Sequence, residues 1–415
     1  TVFSGPLSDP LTTITAWGKP VADKMFLSIV GGTGLGQLRK VKSVGSNWVE
    51  VDSTWRLPPD STSKLVMNYV YKDIVIYNNY SEGFPTNSIA ADSASCFAQF
   101  DGNSWYNVVE SNISKRTGGG VRIGAAPLTQ NFWNEIRSND HSDLIGYGDD
   151  LILWENNPNI PLIGPATLGN AFRSNKIQIS GPQSPFYTYF PPLDNAAQFS
   201  TPGGRYQHGD VVSNQVWHKA NIVEGTIGIG GRKGLVAGDW SDTLFRNSSY
   251  AVSASPNPPL PNGFATVPAY FRKRATPILA GNIYSGSSMK YDLESGAEFK
   301  GQIVPLQTSK RVKTTVNSVN EIYELELLRN GTTPTTWTVT SSSSSIQIIN
   351  SSGTIAPESI AKVQFTTTSS NLIPGTYWTT IKIDAGDNSA SKLVGIKLEV
   401  AADQKPSAPM NLRIM

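Results

Sequence analysis

Val109-Glu110-Ser111-Asn112-Ile113 decides the fold of this chain, because its wording returns. The pattern is one or two apolar residues, a small or polar residue, Asn or Asp, then strand-like residues. It recurs as Phe172-Arg173-Ser174-Asn175-Lys176-Ile177 and Val211-Val212-Ser213-Asn214-Gln215-Val216. Further copies are Leu235-Val236-Ala237-Gly238-Asp239-Trp240 and Ile278-Leu279-Ala280-Gly281-Asn282-Ile283. The polar residue falls at positions 112, 175, 214, 239 and 282. The shortest of these intervals is about one turn of a β-solenoid, and the longer ones leave room for further turns or loops. An Asn side chain can bond nearby backbone at a tight corner and tolerates left-handed φ. The repeat therefore predicts stacked β turns of chain.

The rest of the composition agrees with β structure. The chain has 415 residues, enough for two or three domains, with 39% apolar and only 16% charged residues. No long apolar stripe at helical spacing is present. A net charge of +2 gives no electrostatic footprint for nucleic acid. Cys96 stands alone, so no intrachain disulfide can form, and it is expected as a buried small hydrophobe. With three histidines in all (His141, His208, His218), metal sites built on Cys or clustered His are not expected. No apolar run approaches a membrane span. The chain opens at Thr1 without Met, and the composition suggests a secreted or cell-surface bacterial protein.

Three stretches separate along the chain. Residues 1–297 are irregular and rich in aromatics, with short strands expected at Trp48–Val51, Asp73–Tyr77, Asp150–Trp154 and Lys176–Ile179. Residues 298–401 turn to Ser/Thr alternation, with strands expected at Trp337–Thr340, Ile346–Ile348, Val363–Phe365, Thr379–Ile383 and Val394–Val400. Residues 402–415 open with a polar linker and begin a new phrase at Pro406-Ser407-Ala408-Pro409-Met410-Asn411-Leu412.

The phrases Ser352-Gly353-Thr354-Ile355-Ala356-Pro357-Glu358-Ser359 and Leu372-Ile373-Pro374-Gly375-Thr376-Tyr377 resemble bacterial Ig-like modules appended to extracellular enzymes. The Gly such modules carry between Pro357 and Glu358 is missing here, which shortens the expected turn. The tail resembles the first strand of a fibronectin type III domain. Residues 1–297 resemble the right-handed parallel β-helix superfamily with the pectin-lyase-like fold. Besides the Asn phrases, Gly34-Leu35-Gly36-Gln37-Leu38-Arg39 and Trp55-Arg56-Leu57-Pro58-Pro59-Asp60 carry that resemblance. It implies an all-β architecture, a parallel β-helix followed by an Ig-like sandwich, in a carbohydrate-active protein.

Candidate chemistry follows from a few clusters. Gly31-Gly32-Thr33-Gly34-Leu35-Gly36 lacks the spacing and the following helix of a dinucleotide fingerprint and reads as a tight turn. Asp149 and Asp150, with Asp140, His141 and Asp143 upstream, form the densest acidic cluster. Glycoside hydrolysis needs two carboxyls in distinct roles. Resemblance to polygalacturonase-type hydrolases would add His208-Gly209 and Arg232-Lys233, although there the basic residues are not adjacent as they are here. A solvated acidic turn is the alternative. The second cluster is Arg205, His208, Asp210, Lys219, Arg232 and Lys233. A polysaccharide lyase needs a cation or metal to neutralise a uronate carboxylate, and a base such as Lys, Arg, His or Tyr. Solvated loop residues are the bland reading of that cluster. Trp105, Tyr106, Trp217 and Trp240 sit beside polar residues and are candidates for stacking on sugar rings.

The sequence therefore predicts extracellular depolymerisation of an acidic polysaccharide, by β-elimination ahead of hydrolysis. A non-catalytic glycan-binding protein or adhesin is the alternative class. The residues specify no cofactor. Solenoids need end caps, none is evident near Thr1, and a partner from an upstream part of the same precursor is expected.

Overall fold

The computed structural model describes residues 2–4, 24–45, 48–83, 96–125, 130–144, 148–153, 164–179, 195–199, 218–230, 233–237, 241–252, 268–271, 277–293, 302–307, 309–316, 321–331, 333–368, 372–387 and 391–402. Among them are 39 strands and no α-helix. The chain divides into two compact units, Thr1–Glu298 and Phe299–Met415.

The first unit opens with an antiparallel sheet of five strands. Their spatial order is Val2–Ser4, Trp48–Val51, Leu38–Val44, Met25–Gly31 and Lys64–Tyr69. Met25, Leu27, Ile29, Val41, Val49, Val51 and Trp55 close its core. The period-2 alternation that buries them is what a sheet with one wet face requires. The segment Gly31–Gly36 is the turn joining Met25–Gly31 to Leu38–Val44, as its glycines predict. This sheet departs from the stacked turns expected over all of residues 1–297, because alternating apolar residues fit an antiparallel sheet as well as a parallel stack. Gly34–Arg39 and Trp55–Asp60, two phrases that suggested the stack, lie in it and face each other. Gln37 Oε1 accepts the Arg56 amide at 2.9 Å, and Arg39 Nε donates to the Thr54 carbonyl at 2.9 Å.

From Tyr71 onward every strand of this unit pairs in parallel. The chain passes through three sheets in turn and returns to the first. Sheet I has eleven strands. Sheet II runs from Tyr80–Glu82 to Ile283–Ser285, and sheet III from Cys96–Asp101 to Tyr291–Leu293, with seven strands each. Each strand of one pass therefore bonds its counterparts in the passes before and after. Val109 pairs with Ile76 and Ile136, and Ser114 with Ser81 and His141. Alternate residues point inside, where Val109, Ile136, Phe172, Val223, Phe245 and Leu279 form one column of near-zero exposure. The expected strand at Asp73–Tyr77 shortens to Val75–Tyr77, because Asp73 takes φ 58° and turns the chain. Cys96 is half-buried rather than buried.

The second unit has its own core. Gln302–Pro305, Tyr323–Asn330, Ile360–Thr367 and Ile346–Ile348 form a four-stranded sheet. Ser309–Thr315, Lys392–Ala401, Gly375–Ala385, Thr335–Ser341 and Ser352–Ile355 form a five-stranded sheet. Ser309–Thr315 runs parallel to Lys392–Ala401, and every other pair is antiparallel. Inward residues of both sheets, among them Leu325, Trp337, Val363, Phe365, Ile381 and Leu398, share one core. All five strands expected here are present. In the turn after Ile355 the absent glycine has a visible cost, since Glu358 takes φ 54° in its place. The fibronectin-like tail phrase lies outside the described residues.

Candidate functional site

Up to the strand His218–Glu224, each pass turns one corner inside sheet I, between its two short strands, and a second between sheet I and sheet II, and Asn stands at most of them. At the second corner Asn79, Asn112, Asn139 and Asn175 stack in register. The Oδ1 of each of the last three accepts from the backbone amide and Nδ2 of the one before, at 2.9–3.1 Å. The Nδ2 groups of Asn112, Asn139 and Asn175 also donate to the carbonyls of Ile76, Val109 and Ile136. Thr226, Ser248 and Asn282 continue the column. At the first corner Asn107, Asn134, Asn170 and Asn221 repeat the arrangement at 2.9–3.1 Å. Apart from exposed Asn79 and half-buried Asn282 these amides are buried, so the ladder satisfies backbone groups that a corner strips from the flanking strands. Of the five sequence copies, Asn112, Asn175 and Asn282 are corner residues. Asn214 and Asp239 lie outside the described residues, and Leu235–Ala237 belongs to sheet III rather than sheet I. Asn107, Asn134, Asn139, Asn170 and Asn221 escaped the sequence reading. The recurring Asn-x4-Asn pairs at 107/112, 134/139 and 170/175 would have found most of them.

The residue before each corner position takes left-handed φ, and here the corners diverge. The second corner uses Asn78, Ser111, Ser138, Ser174, Gly225, Asn247 and Gly281, with φ between 50° and 60°. The first uses Asp73, Tyr106, Trp133, Gly169 and Ala220, with φ between 52° and 64°. Small and polar residues fit such backbone, whereas bulky aromatics there are outliers that store strain. Tyr106 and Trp133 nevertheless occupy successive passes and remain 44% and 38% exposed.

Their setting is built by the antiparallel sheet. Trp105, Phe132 and Leu168 form an outward column of sheet I, covered by Leu35, Leu38 and Val70. Trp105 is 1% exposed and its ring lies 4.6 Å from that of Phe132, so it is packing and not the sugar platform its polar neighbours suggested. The Trp133 indole Nε1 donates to the Gly36 carbonyl at 2.9 Å. A Cβ at Gly36 would stand 2.8 Å from the same ring, and one at Gly169 would run into it. Two glycines thus leave the space in which the indole is pinned. Beside Tyr106 stand the charges of Arg39, Arg56 and Asp73. Partial burial pushes the Tyr106 phenol up, against the pull of both guanidiniums. Arg39 also lies over the Trp55 ring, 5.1 Å from its centroid. Among the described residues neither Arg39 nor Arg56 has a carboxylate within salt-bridge distance.

The neighbouring outer face of sheet I carries a charge ladder. Arg137 meets Glu110 at 2.9 Å and Glu135 at 3.1 Å, and Arg173 meets Glu135 at 2.9 Å and Glu224 at 3.4 Å. Arg246 pairs with Glu224 beyond them. These arginines are compensated, in contrast to Arg39 and Arg56.

The acidic cluster lies elsewhere. Asp149 is fully buried, and its Oδ1 accepts the Val121 amide at 2.8 Å. The same oxygen is 3.5 Å from His141 Nε2, while His141 Nδ1 shares a 2.7 Å hydrogen bond with Ser114 Oγ. Burial lowers the His141 pKa to about 4, so the ring is neutral at neutral pH. This Ser–His–Asp group lies inside the stack, where substrate has no access, and Asp149 is an interior polar residue, not a catalytic carboxylate. The backbone of Asp150 is its neighbour in sheet III. Lys219 is exposed on sheet I, paired in register with Leu168. Lys233 begins a strand of sheet III. Arg205, His208, Asp210, Trp217, Arg232 and Trp240 lie outside the described residues, as do the side chains of Asp150 and Lys233. Among the described residues no group of His, Cys, Asp and Glu could hold a metal, and no helix is long and apolar enough to cross a membrane.

No family model and no curated protein matches the chain. Solved structures do. A family 123 glycoside hydrolase from Clostridium perfringens is 15% identical, covering 23% of this chain and 23% of its own, with a TM-score of 0.21. The ASH/PapD-like domain 7 of human CEP192 is 16% identical over 26% of this chain and 88% of its own, at 0.21. WR4, an MSP family member of C. elegans, is 12% identical over 24% and 99%, at 0.19.

Proposed function

We propose that the chain recognises an extended acidic glycan along the first corner of its parallel stack. In this reading the first unit is a right-handed parallel β-helix of the pectin-lyase-like kind, the second is an Ig-like sandwich, and the protein works at or beyond a bacterial cell surface. One observation carries the binding assignment: two exposed aromatics are held at positive φ on successive passes, and the first of them, Tyr106, feels the charges of Arg39 and Arg56. Flat rings suit the apolar face of a pyranose, and guanidiniums suit its carboxylate. Passes repeat every ~4.8 Å, which suits a chain of sugars laid along the stack.

Cleavage by β-elimination is the second reading, favoured by the same Tyr106 with its two arginines. A base removes the proton beside the uronate carboxylate, the glycosidic C–O bond breaks, and the electron pair becomes a ring double bond. Arg39 and Arg56 would neutralise the carboxylate. The raised phenol of Tyr106 stays protonated and would deliver a proton to the leaving oxygen. The base would come from His208, Arg232 or Lys233. Hydrolysis at Asp149 and Asp150 is set aside, because Asp149 is interior.

Affinity electrophoresis through polygalacturonate, alginate and a neutral glucomannan tests the assignment, with absorbance of unsaturated products followed in parallel. Retention on an acidic polymer, weakened about tenfold in Tyr106→Ala and Trp133→Ala, is expected for two stacking contacts. Equal retention of wild type and both variants would sink it. Absorbing products would make the protein a lyase.

A further inference from the structure

The second unit carries an aromatic of a different kind. Trp378 lies mid-strand on the outer face of the five-stranded sheet and is 70% exposed. Its cross-strand partner is Lys397, whose Nζ lies over the indole 5.9 Å from the ring centroid. Arg311 follows Lys397 in the same row. Thr376 and Thr380 flank the ring along its own strand, and Gly395 pairs with Thr380 beside it. The ring's neighbours on this face are hydroxyls, the paired charges of Lys397, Arg311 and Glu399, and a bare backbone, so it is no part of an apolar patch.

Charge on this face is unbalanced. Glu399 takes both Arg311 and Lys397, at 2.6 Å each, and Lys382 meets Asp384 at 3.0 Å. Lys313, in register with Glu399, adds a further cation. A protein partner dry enough to bury the indole would have to strip water from these groups, which is costly unless each finds a new partner. A ligand with one apolar face, a hydroxylated edge and negative charge matches the row directly.

We propose that the Trp378–Lys397–Arg311 row is a second saccharide-binding site, specific for an anionic sugar. The pyranose face stacks on the indole, Thr376 and Thr380 bond its hydroxyls, and the basic row faces its carboxylate or sulfate. The site is independent of the corner that holds Tyr106 and Trp133.

The test uses the whole chain in native gels containing polygalacturonate, chondroitin sulfate or neutral pullulan. Truncating so exposed a ring leaves the core intact, which circular dichroism verifies. Trp378→Ala should weaken retention on an acidic polymer about fivefold, and Trp378→Phe should recover most of it. Lys397→Ala should weaken it about threefold at low salt and less at high salt. In a Tyr106→Ala/Trp133→Ala background, Trp378→Ala should abolish the retention that remains. Three results overturn the proposal: wild-type retention by Trp378→Ala on every acidic polymer, equal retention on pullulan, or no retention of the wild type on either acidic polymer. If only Tyr106→Ala/Trp133→Ala matters, the corner site stands and this one falls. If only Trp378→Ala matters, the reverse holds.

Discussion

The two corners of each pass share one backbone and differ in what stands on it. Both place a residue at left-handed φ and follow it with Asn, or with Ile74, Thr226 or Ser248 elsewhere in the columns. The second corner fills the strained position with Ser, Asn or Gly, the residues that suffer least there. The first spends it on Tyr106 and Trp133 and keeps Gly36 and Gly169 clear for the indole. Where geometry alone dictates, small residues suffice. Where a bulky ring sits in the same geometry, another demand is being met.

Four measurements break or sharpen this comparison. The largest effect should come from the feature the corners share. Asn139→Ala removes the acceptor of the Asn112 amide and the donor to the Val109 carbonyl, both buried. It should cost about 4 kcal/mol by denaturant unfolding, the penalty of several stranded polar groups. Asn79→Ala, exposed on the first pass, should cost about 1 kcal/mol. Similar losses at the two positions would mean that burial is not what gives the ladder its worth.

Next comes the interior behind the second corner. The folded His141 has a pKa of about 4 against an ordinary 6.5, so the unfolded chain binds its proton first as pH falls. Stability from this group is full above the unfolded value and is lost as pH drops from 6.5 toward 4, by about 3 kcal/mol. Unfolding curves of wild type and His141→Asn across that window should diverge in slope, and parallel curves would remove His141 from the account.

Swapping the strained residues themselves separates structure from function. Ser138→Gly should change stability by less than about 1 kcal/mol, relief of φ strain offsetting added chain entropy. Trp133→Gly should stay within about 2 kcal/mol, because relieved strain offsets part of the lost ring packing. It alone should lose glycan retention, and loss in Ser138→Gly as well would erase the distinction between the corners. The smallest effect belongs to the charge ladder. Arg173→Ala should cost under about 0.5 kcal/mol, since the pairs on this face are solvent-screened. A larger loss, shrinking in high salt, would mean that the ladder acts as a network.

Much of this was legible in residues, for identifiable reasons. Asn112, Asn175 and Asn282 were readable because a corner amide must recur with its strand. Their first-corner partners were missed because the phrase was anchored on small residues before Asn, and Tyr106 and Trp133 do not look like such residues. Met25–Val51 reads as strands in either architecture, since alternation cannot tell an antiparallel sheet from a parallel stack. Trp105 and Tyr106 are adjacent in sequence and face opposite fates, because period 2 sends one under Leu35 and Leu38 and leaves the other at the rim. Trp378 falls just before the strand expected at Thr379–Ile383, and only the register beside Lys397 sets it apart.

The amide ladders also constrain how such a chain can change over generations. Successive second-corner amides are separated by 27 and then 36 residues, and two first-corner amides by 51, yet the distance from first to second corner in one pass stays at five positions. The extra residues of the longer passes lie elsewhere in the circuit, while the corner-to-corner spacing stays fixed. Half a pass would leave an amide without its neighbour, so the stack can lengthen only in steps of ~4.8 Å. Its length is quantised, and any ligand laid along it meets a surface that grows by whole increments.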